Sequence, residues 1–409
     1  MNKYKKVIFV VSISFPLLFI IKPTISQAKE YSSLFISHEV IEKNQLKAET
    51  NNDTIQLAIQ QLIRKAKREL TLGPYSVVYS KVNPLNVDPH NYSSVSTYWW
   101  PDPEKPEGLP YIRKDGVVNP ERDFYDKKQS VDFHKGIETL TLAYLYSDDS
   151  IYAQRAFYLI RVWFIEDSTR MNPNMKYAQF VPGRSEGRSF GIIESRNFLY
   201  VLDYASILHQ KGELSTETYQ DLMHWAETFL DWLLTSDHGK KEKEAINNHG
   251  TWFDVQAMGF AILTNRKDVI NEIAGSFYKR RVKNHILRDG QQPEELKRTK
   301  AFFYSTFNLL AITQFYQLAL HANALPDKNR DSILKSIHQA IDFLYPYALN
   351  PEKWPYEQIQ GFEGGQACLA EVLLVLGNLY PQENYIHRAK KIPLPLEIRN
   401  DLIIKYGIF

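Results

Sequence analysis

The chain has 409 residues, with 49 Lys and Arg against 47 Asp and Glu and a formal net charge of +2. It therefore carries no broad basic surface of the kind nucleic acid demands. Hydrophobic content of 44% and charged content of 23% are those of an ordinary globular protein, and the single cysteine, Cys368, excludes an internal disulfide.

Residues 1–28 read as a secretory signal. Lys3, Lys5 and Lys6 are basic, residues 7–21 are an apolar run, and Ser26-Gln27-Ala28 offers small residues where a signal peptidase cuts. The run falls short of the roughly 20 apolar residues of a membrane span. No stable membrane insertion is expected after cleavage, and an uncleaved anchor is the alternative. No cysteine stands near the cleavage region to carry a lipoprotein anchor. Residues 29–409 are then expected to form one exported domain, periplasmic or extracellular, with its core over about residues 54–391. The sequence does not fix an oligomeric state.

Helical periodicity begins near residues 54–71, and residues 80–125 break it. Tyr98-Trp99-Trp100-Pro101-Asp102-Pro103-Glu104-Lys105-Pro106 runs into Gly108-Leu109-Pro110-Tyr111-Ile112-Arg113, with turn signals at Asp115-Gly116 and Asn119-Pro120. So many prolines exclude a regular helix, and a long ordered loop in a helical domain is often functional. Tyr98, Trp99 and Trp100 are read as a platform for sugar rings, whose CH faces are apolar; packing against the helices is the other reading of the two tryptophans.

From residue 130 nearly everything is helical. Phe133, Ile137, Leu140 and Tyr144 recur at helical spacing, and Tyr219, Leu222, Ala226, Phe229 and Leu233 do so after Ser215, a plausible N-cap. Ile333, Ile337, Ile341 and Leu344 follow the same rule, and Pro346 is expected to end that run. Further helices are predicted near 150–166, 191–210, 251–263, 266–285, 302–322, 361–379 and 383–391. Short breaks between them make antiparallel helix hairpins. The pattern predicts an all-α fold, an (α/α)n toroid or incomplete barrel with the Pro/Trp-rich loop over its cleft. An open solenoid shares the same periodicity.

Two segments carry chemistry. Ala245-Ile246-Asn247-Asn248-His249-Gly250 sets an amide beside an imidazole, and Arg298 stands six positions before the phenol of Tyr304. No His-x-x-x-His or cysteine cluster with ligand spacing is present. Neither a metal nor a cofactor is expected. Such a set suits removal of a proton next to a carboxylate, followed by β-elimination. Asn248, His249 and Arg298 would neutralise the carboxylate, and Tyr304 would move the proton. The charge of Arg298 is expected to lower the phenol pKa. Plainer readings stand beside these: Asn247-Asn248 as a helix N-cap, His249 as a structural hydrogen-bonding group, Tyr304 as core, and Arg298 as a solvated charge. Arg184 and Arg188 would share one face if their Gly-rich segment is helical. They would then grip substrate carboxylates, or pair with Glu186 or Glu194.

The loop motifs, together with Pro182-Gly183-Arg184-Ser185-Glu186-Gly187-Arg188, Gly191-Ile192-Ile193-Glu194, Asn247-Asn248-His249-Gly250, Arg298-Thr299 and Tyr304-Ser305, resemble the alginate lyase family over roughly residues 80–370. Ala301 departs from the pattern, where a small polar residue is expected. The resemblance implies a secreted polysaccharide lyase with an (α/α) toroid that acts on an acidic 4-linked uronate polymer such as alginate, polymannuronate or glucuronan. Its catalytic residues would be Asn248, His249, Arg298 and Tyr304. Substrate would be held by Asn247, Arg184, Arg188, Tyr98, Trp99 and Trp100. Two other functions compete: an (α/α)-toroid glycoside hydrolase, for which Asp254 and Glu294 are available carboxylates, and a non-catalytic glycan-binding protein of a polysaccharide uptake system.

Overall fold

Alternation of long apolar helices with short turns folds into concentric layers. The computed structural model describes residues 30–407 apart from 51, 80, 81, 83 and 84. The signal segment read at residues 1–28 lies outside the described residues. The helices in chain order are α1 (His38–Glu49), α2 (Asp53–Glu69), α3 (Asp126–Ser147), α4 (Ser150–Phe164), α5 (Arg196–Lys211), α6 (Thr216–Thr235), α7 (Asp237–Lys243) and α8 (Asn248–Leu263). They continue with α9 (Lys267–Phe277), α10 (Lys283–His285), α11 (Pro293–Leu296), α12 (Ala301–His321), α13 (Asp327–Leu349), α14 (Phe362–Leu379), α15 (Tyr385–Lys391) and α16 (Leu396–Tyr406).

Packing closes these helices into a ring. α3 contacts α5, α5 contacts α8, α8 contacts α12, α12 contacts α14, α14 contacts α16, α16 contacts α2, and α2 returns to α3. Outside the ring α4 lies on α3, α6 and α9 on α8, α13 on α12, α15 on α14, and α1 on α2. This is the expected all-α toroid rather than an open solenoid. α8 and α12 are buried on almost every face, which fits helices walled by the ring on one side and the outer layer on the other.

The axis of the ring is polar and hydrogen-bonded. Lys405 pairs with Glu138 at 2.7 Å, and Tyr204 donates to the same carboxylate at 3.2 Å. Tyr200 donates to Gln314 at 2.7 Å and Tyr406 to Glu371 at 2.6 Å. Buried polar groups are tolerated when they satisfy one another in this way. The segment before α1 closes one end. Asp203 on α5, buried, accepts from Ser33 Oγ at 2.6 Å, Leu34 N at 2.8 Å and Phe35 N at 3.2 Å, and Gln317 on α12 donates to the carbonyl of Leu34 at 3.1 Å.

The opposite end is the cleft, and the ring helices present their first turns to it. α3 offers Ser130 and Val131, α5 Arg196 and Asn197, α8 Asn248 and His249, and α12 Phe303, Tyr304 and Phe307. Four helix N-termini, each with a partial positive charge, thus face one space.

Three expectations need correction. α13 runs through Pro346 to Leu349, because that proline lies in the last turn, where Asn350 N already caps the Pro346 carbonyl at 3.1 Å. α1 and α16 have no counterpart among the predicted helices. The Gly-rich segment of Arg184 and Arg188 is not helical: it is a turn closed by a Val181–Ser185 bridge, and helical turns begin only at Ser189. The Pro/Trp loop itself folds on two short ladders. β1 (Ser93–Val95) pairs in parallel with β4 (Tyr177–Phe180), and β2 (Trp99–Trp100) pairs antiparallel with β3 (Ile112–Arg113).

Candidate active site

The first turn of α8 is set by its own sequence. Asn247 is the N-cap, its side chain accepting from His249 N at 3.1 Å. The N-cap reading of Asn247 thus holds, and the residue also stands in the cleft wall. Glycine is required at 250, because a Cβ there would lie 2.1 Å from the Ala245 carbonyl and 2.5 Å from Arg281 Nη1. Arg281, itself buried, donates to Asp254 Oδ2 at 2.8 Å, to Ala245 O at 2.8 Å and to Lys243 O at 2.5 Å. The loop before α8 is thereby bolted to the helix. Asp254 is taken up in this structural pair.

Asn248 and His249 each meet a buried carboxylate. Glu295 Oε1 accepts from Asn248 N at 2.6 Å and Glu295 Oε2 from Asn248 Nδ2 at 2.7 Å. Burial pushes the Glu295 carboxyl up to about 7, against the two bonds from Asn248 and the charge of Arg298. His249 Nδ1 lies 2.6 Å from Glu242 Oε1, and the ring sits edge-on to Phe190 with centroids 4.7 Å apart.

Tyr304 enters from α12. Its hydroxyl is 2.8 Å from that of Tyr98, which hangs over the cleft from the Pro/Trp loop. The guanidinium of Arg298 lies 3.8 Å above the Tyr304 ring, while its Nε and Nη2 donate to Asp115 at 3.1 and 2.9 Å. Gly116, at φ +76°, lets the loop bring Asp115 in; a Cβ there would meet Thr299 Oγ1 at 2.4 Å. Burial works against ionisation of Asp115, but Arg298 and Arg113 outweigh it and hold the carboxyl well below its usual range. Burial pushes the Tyr304 phenol well above its ordinary value, and the charge of Arg298 does not overcome this. Arg298 lowers the phenol pKa as expected, but burial outweighs it and the net shift is upward. Arg298 braces Tyr304 and the loop through Nε and Nη2, and it also stands in the cleft wall.

The cleft encloses about 750 Å³ and brings together Tyr98, Trp99, Arg188, Asn247, Asn248, His249, Arg298 and Tyr304. Arg113, Arg122, Lys127, Arg196 and Lys297 add further positive charge to its wall. Arg188 donates to Gln179 at 3.1 Å and lies over Trp99 and Phe190; it makes no ion pair among the described residues. Burial pushes its pKa down to about 10. Trp100 and Arg184, expected at the substrate, fall outside the cleft wall. The Trp100 indole donates to the Val117 carbonyl at 3.0 Å, and Arg184 donates to the Tyr111 carbonyl at 2.9 Å while covering Trp99 at 5.3 Å. Two carboxylates line the wall. Glu194 is buried and accepts from Tyr92, Ser94, Lys127 and Gln179, and Glu294 pairs with Lys297 at 2.6 Å. Among the described residues no group of three His, Cys, Asp or Glu is placed to hold a metal ion.

Glu242, Glu295, Asp115, Lys127, Arg196 and Gln179 are parts of this region that the sequence reading does not single out. Gln179 carries a local mark only in the structure, a left-handed backbone at φ +51° in a residue that is not glycine, stabilised where its side chain bridges Arg188 and Glu194.

A family model described as alginate lyase matches residues 78–354. A crystal structure of an alginate lyase from Bacteroides ovatus is similar over 93% of this chain and 100% of that one, with 32% identity and a TM-score of 0.84. The chain belongs to the alginate lyase family. It is a polysaccharide lyase, and its substrate is a polysaccharide. An alginate lyase from Sphingomonas species A1 shares the fold at 13% identity, over 84% of this chain and 94% of that one, with a TM-score of 0.53. A histidine-to-alanine variant of that enzyme, complexed with tetrasaccharide, is similar to the same degree in fold at 14% identity and a TM-score of 0.53. No match is found among curated protein sequences. The alginate lyase model spans the Pro/Trp loop, the Asn248–His249 turn and Tyr304 of this family member in one continuous match.

Proposed function

We propose that this lyase cleaves a 4-linked uronate polymer, mannuronate-rich alginate or glucuronan, by metal-independent β-elimination. The observation that carries the reading is the convergence of Asn248, His249 and Tyr304 on one cleft with several cations in its wall. The C5 proton of a uronate is only weakly acidic while the C6 carboxylate keeps its charge. Elimination therefore needs that charge neutralised and donors placed where the enolate develops, each typically worth roughly 2.7–4 kcal/mol. Asn248 supplies an amide hydrogen beside the carboxylate, and His249, carrying both ring protons with Nδ1–H on Glu242, supplies Nε2–H. Arg188 and Arg196, cleft-wall guanidiniums without a carboxylate partner among the described ion pairs, add countercharge to that of Arg298. The N-termini of α5, α8 and α12 add a field of the same sign.

Tyr304 moves the proton. Its phenoxide takes the C5 hydrogen, the C4–O4 bond breaks as the C4–C5 double bond forms, and the same phenol returns the proton to the departing O4. One group performs both steps only when C5–H and O4 leave from the same face, as in mannuronate and glucuronate. In guluronate they lie on opposite faces, and His249 would have to be the base with Tyr304 the acid. Because burial favours the protonated phenol, that proton must leave before the first elimination, and each elimination then returns the group as phenoxide. The hydroxyl of Tyr98, half-buried and 2.8 Å away, is the neighbour through which that proton passes. The hydrolase alternative lacks its machinery. Glu194 is saturated by four donors and Glu294 is paired with a lysine, so among the described residues no free acid–base carboxylate pair faces the cleft.

Export to the periplasm or the medium fits the basic and apolar segments of residues 1–28 and a polymeric substrate that does not enter cells. No helix among the described residues is long and apolar enough to cross a membrane. The polymer preference is tested by incubating the enzyme with polymannuronate, polyguluronate and glucuronan separately and following unsaturated product. Polymannuronate or glucuronan should be turned over at least about 10-fold faster than polyguluronate, a difference of ~1.4 kcal/mol in the barrier. A strong preference for polyguluronate would reassign the base to His249.

A further inference from the structure

Two carboxylates behind the cleft have no evident place in the chemistry above. Glu242, at the end of α7, is 1% exposed; Oε1 meets His249 Nδ1 at 2.6 Å, and Oε2 is buried without a hydrogen-bond partner. Glu295, on α11, is also 1% exposed, and its two oxygens take the backbone N–H and one side-chain amide hydrogen of Asn248. Neither residue lines the cleft, so neither reaches substrate. Burying a carboxylate away from water costs several kcal/mol unless its partners compensate. Each of these spends most of its hydrogen bonding on one member of the Asn248–His249 pair.

The consequence for the pair is geometric. With Nδ1–H donated to Glu242, the other nitrogen of His249, Nε2, has no partner among the described residues and is left for the cleft, as a donor when the ring carries both protons and as an acceptor in the neutral tautomer. Phe190 holds the ring from the edge, so the carboxylate and the phenyl together fix the imidazole plane. Glu295 fixes the amide in the same manner. Nδ2 must face the carboxylate, because the amide oxygen would be repelled there. Oδ1, buried and unpartnered, and the second amide hydrogen remain for a ligand.

We propose that Glu242 and Glu295 are the positioning residues of the lyase site, Glu242 setting the tautomer and plane of His249 and Glu295 the amide plane of Asn248. The inference rests on the β-elimination reading of the cleft. It gives two buried acids from separate short helices, α7 and α11, a function that the fold alone does not need: α8 already has a side-chain N-cap in Asn247.

The test uses Glu242→Gln and Glu295→Gln, which keep side-chain shape. A glutamine at 242 can accept from or donate to Nδ1, so the tautomer is no longer imposed. A glutamine at 295 sets its own NH₂ against one of two Asn248 donors and turns the amide. Each variant should lose about 10–100-fold in kcat, the scale known for removing the outer partner of a metal-bound histidine, while KM stays within about two-fold. Glu242→Asp and Glu295→Asp, which keep the charge, should recover part of the loss. A purely structural role would lower Tm and leave kcat per folded molecule unchanged, and that result overturns the proposal. Nitrogen NMR of the wild-type imidazoles, with His249 assigned by difference against His249→Gln, gives a readout that needs no substrate. Hydrogen on Nδ1 of His249, redistributed in Glu242→Gln, supports the proposal, and a wild-type ring protonated on Nε2 alone overturns it even where the Gln variants do not fold. Absence of unsaturated product from wild-type enzyme would refute the β-elimination reading instead, and the spectrum would still decide the tautomer.

Discussion

Tyr304→Phe should abolish turnover while leaving the protein folded and able to bind polymer. The substitution keeps the ring under Arg298 and against Phe303, and removes only the hydroxyl. Acid–base assistance is typically worth about 10²–10⁴-fold, and a group that acts as base and then as acid belongs at the upper end of that range. The structural cost is the single hydrogen bond to Tyr98, about 1 kcal/mol. Single-turnover assays of unsaturated product, with polymer binding by calorimetry and unfolding in denaturant, separate the two effects. Activity within about ten-fold of wild type would remove Tyr304 from the proton path.

His249→Ala carries the second large effect. It deletes a donor beside the developing charge and strands the Glu242 carboxylate, which is 1% exposed, without its hydrogen-bonded partner. Loss of one such preorganised donor costs about 10²–10³-fold in kcat, and an unpaired buried carboxylate adds a loss of stability that Tyr304→Phe does not share. Chemical rescue tells the two possible roles of the ring apart. Exogenous imidazole should leave the rate low if His249 compensates the uronate carboxylate, since a base that diffuses freely does not restore a fixed charge. Marked rescue, growing with the concentration of free base, would make His249 the proton acceptor and point to anti elimination.

The architecture was readable because helical periodicity repeats over most of the chain. Runs such as Phe133–Tyr144 and Ile333–Leu344 report which face is buried whatever the neighbouring helix turns out to be. Ring closure was beyond periodicity, since it depends on α16 meeting α2 across more than three hundred residues, and α1 and α16 are short amphipathic pieces with weak signals of their own. At the site, adjacency in sequence served well where one turn of helix presents the residues: Asn247, Asn248 and His249 fall together at the start of α8. It served badly where function rests on partners from distant segments. Glu242 precedes His249 by seven residues and Glu295 follows Asn248 by 47, in separate short helices whose charged residues look like solvated surface. Arg298 is a further case. The guanidinium near the phenol gives no sign in sequence of Asp115, 183 residues away, which accepts from its Nε and Nη2. Arg184 and Trp100 stand outside the cleft wall, their side chains donating to the carbonyls of Tyr111 and Val117, contacts that no local pattern announces.

The central claim is that the glycosidic bond breaks by elimination, and the composition of the product decides it. Polymannuronate digested in water enriched in heavy oxygen should give fragments with a C4–C5 double bond at the new non-reducing end, seen by ultraviolet absorbance, with the mass of the intact chain conserved across the two fragments. No solvent oxygen should enter at the cleaved bond. Saturated fragments that gain one water and carry solvent oxygen at the new reducing end would show hydrolysis and contradict the account.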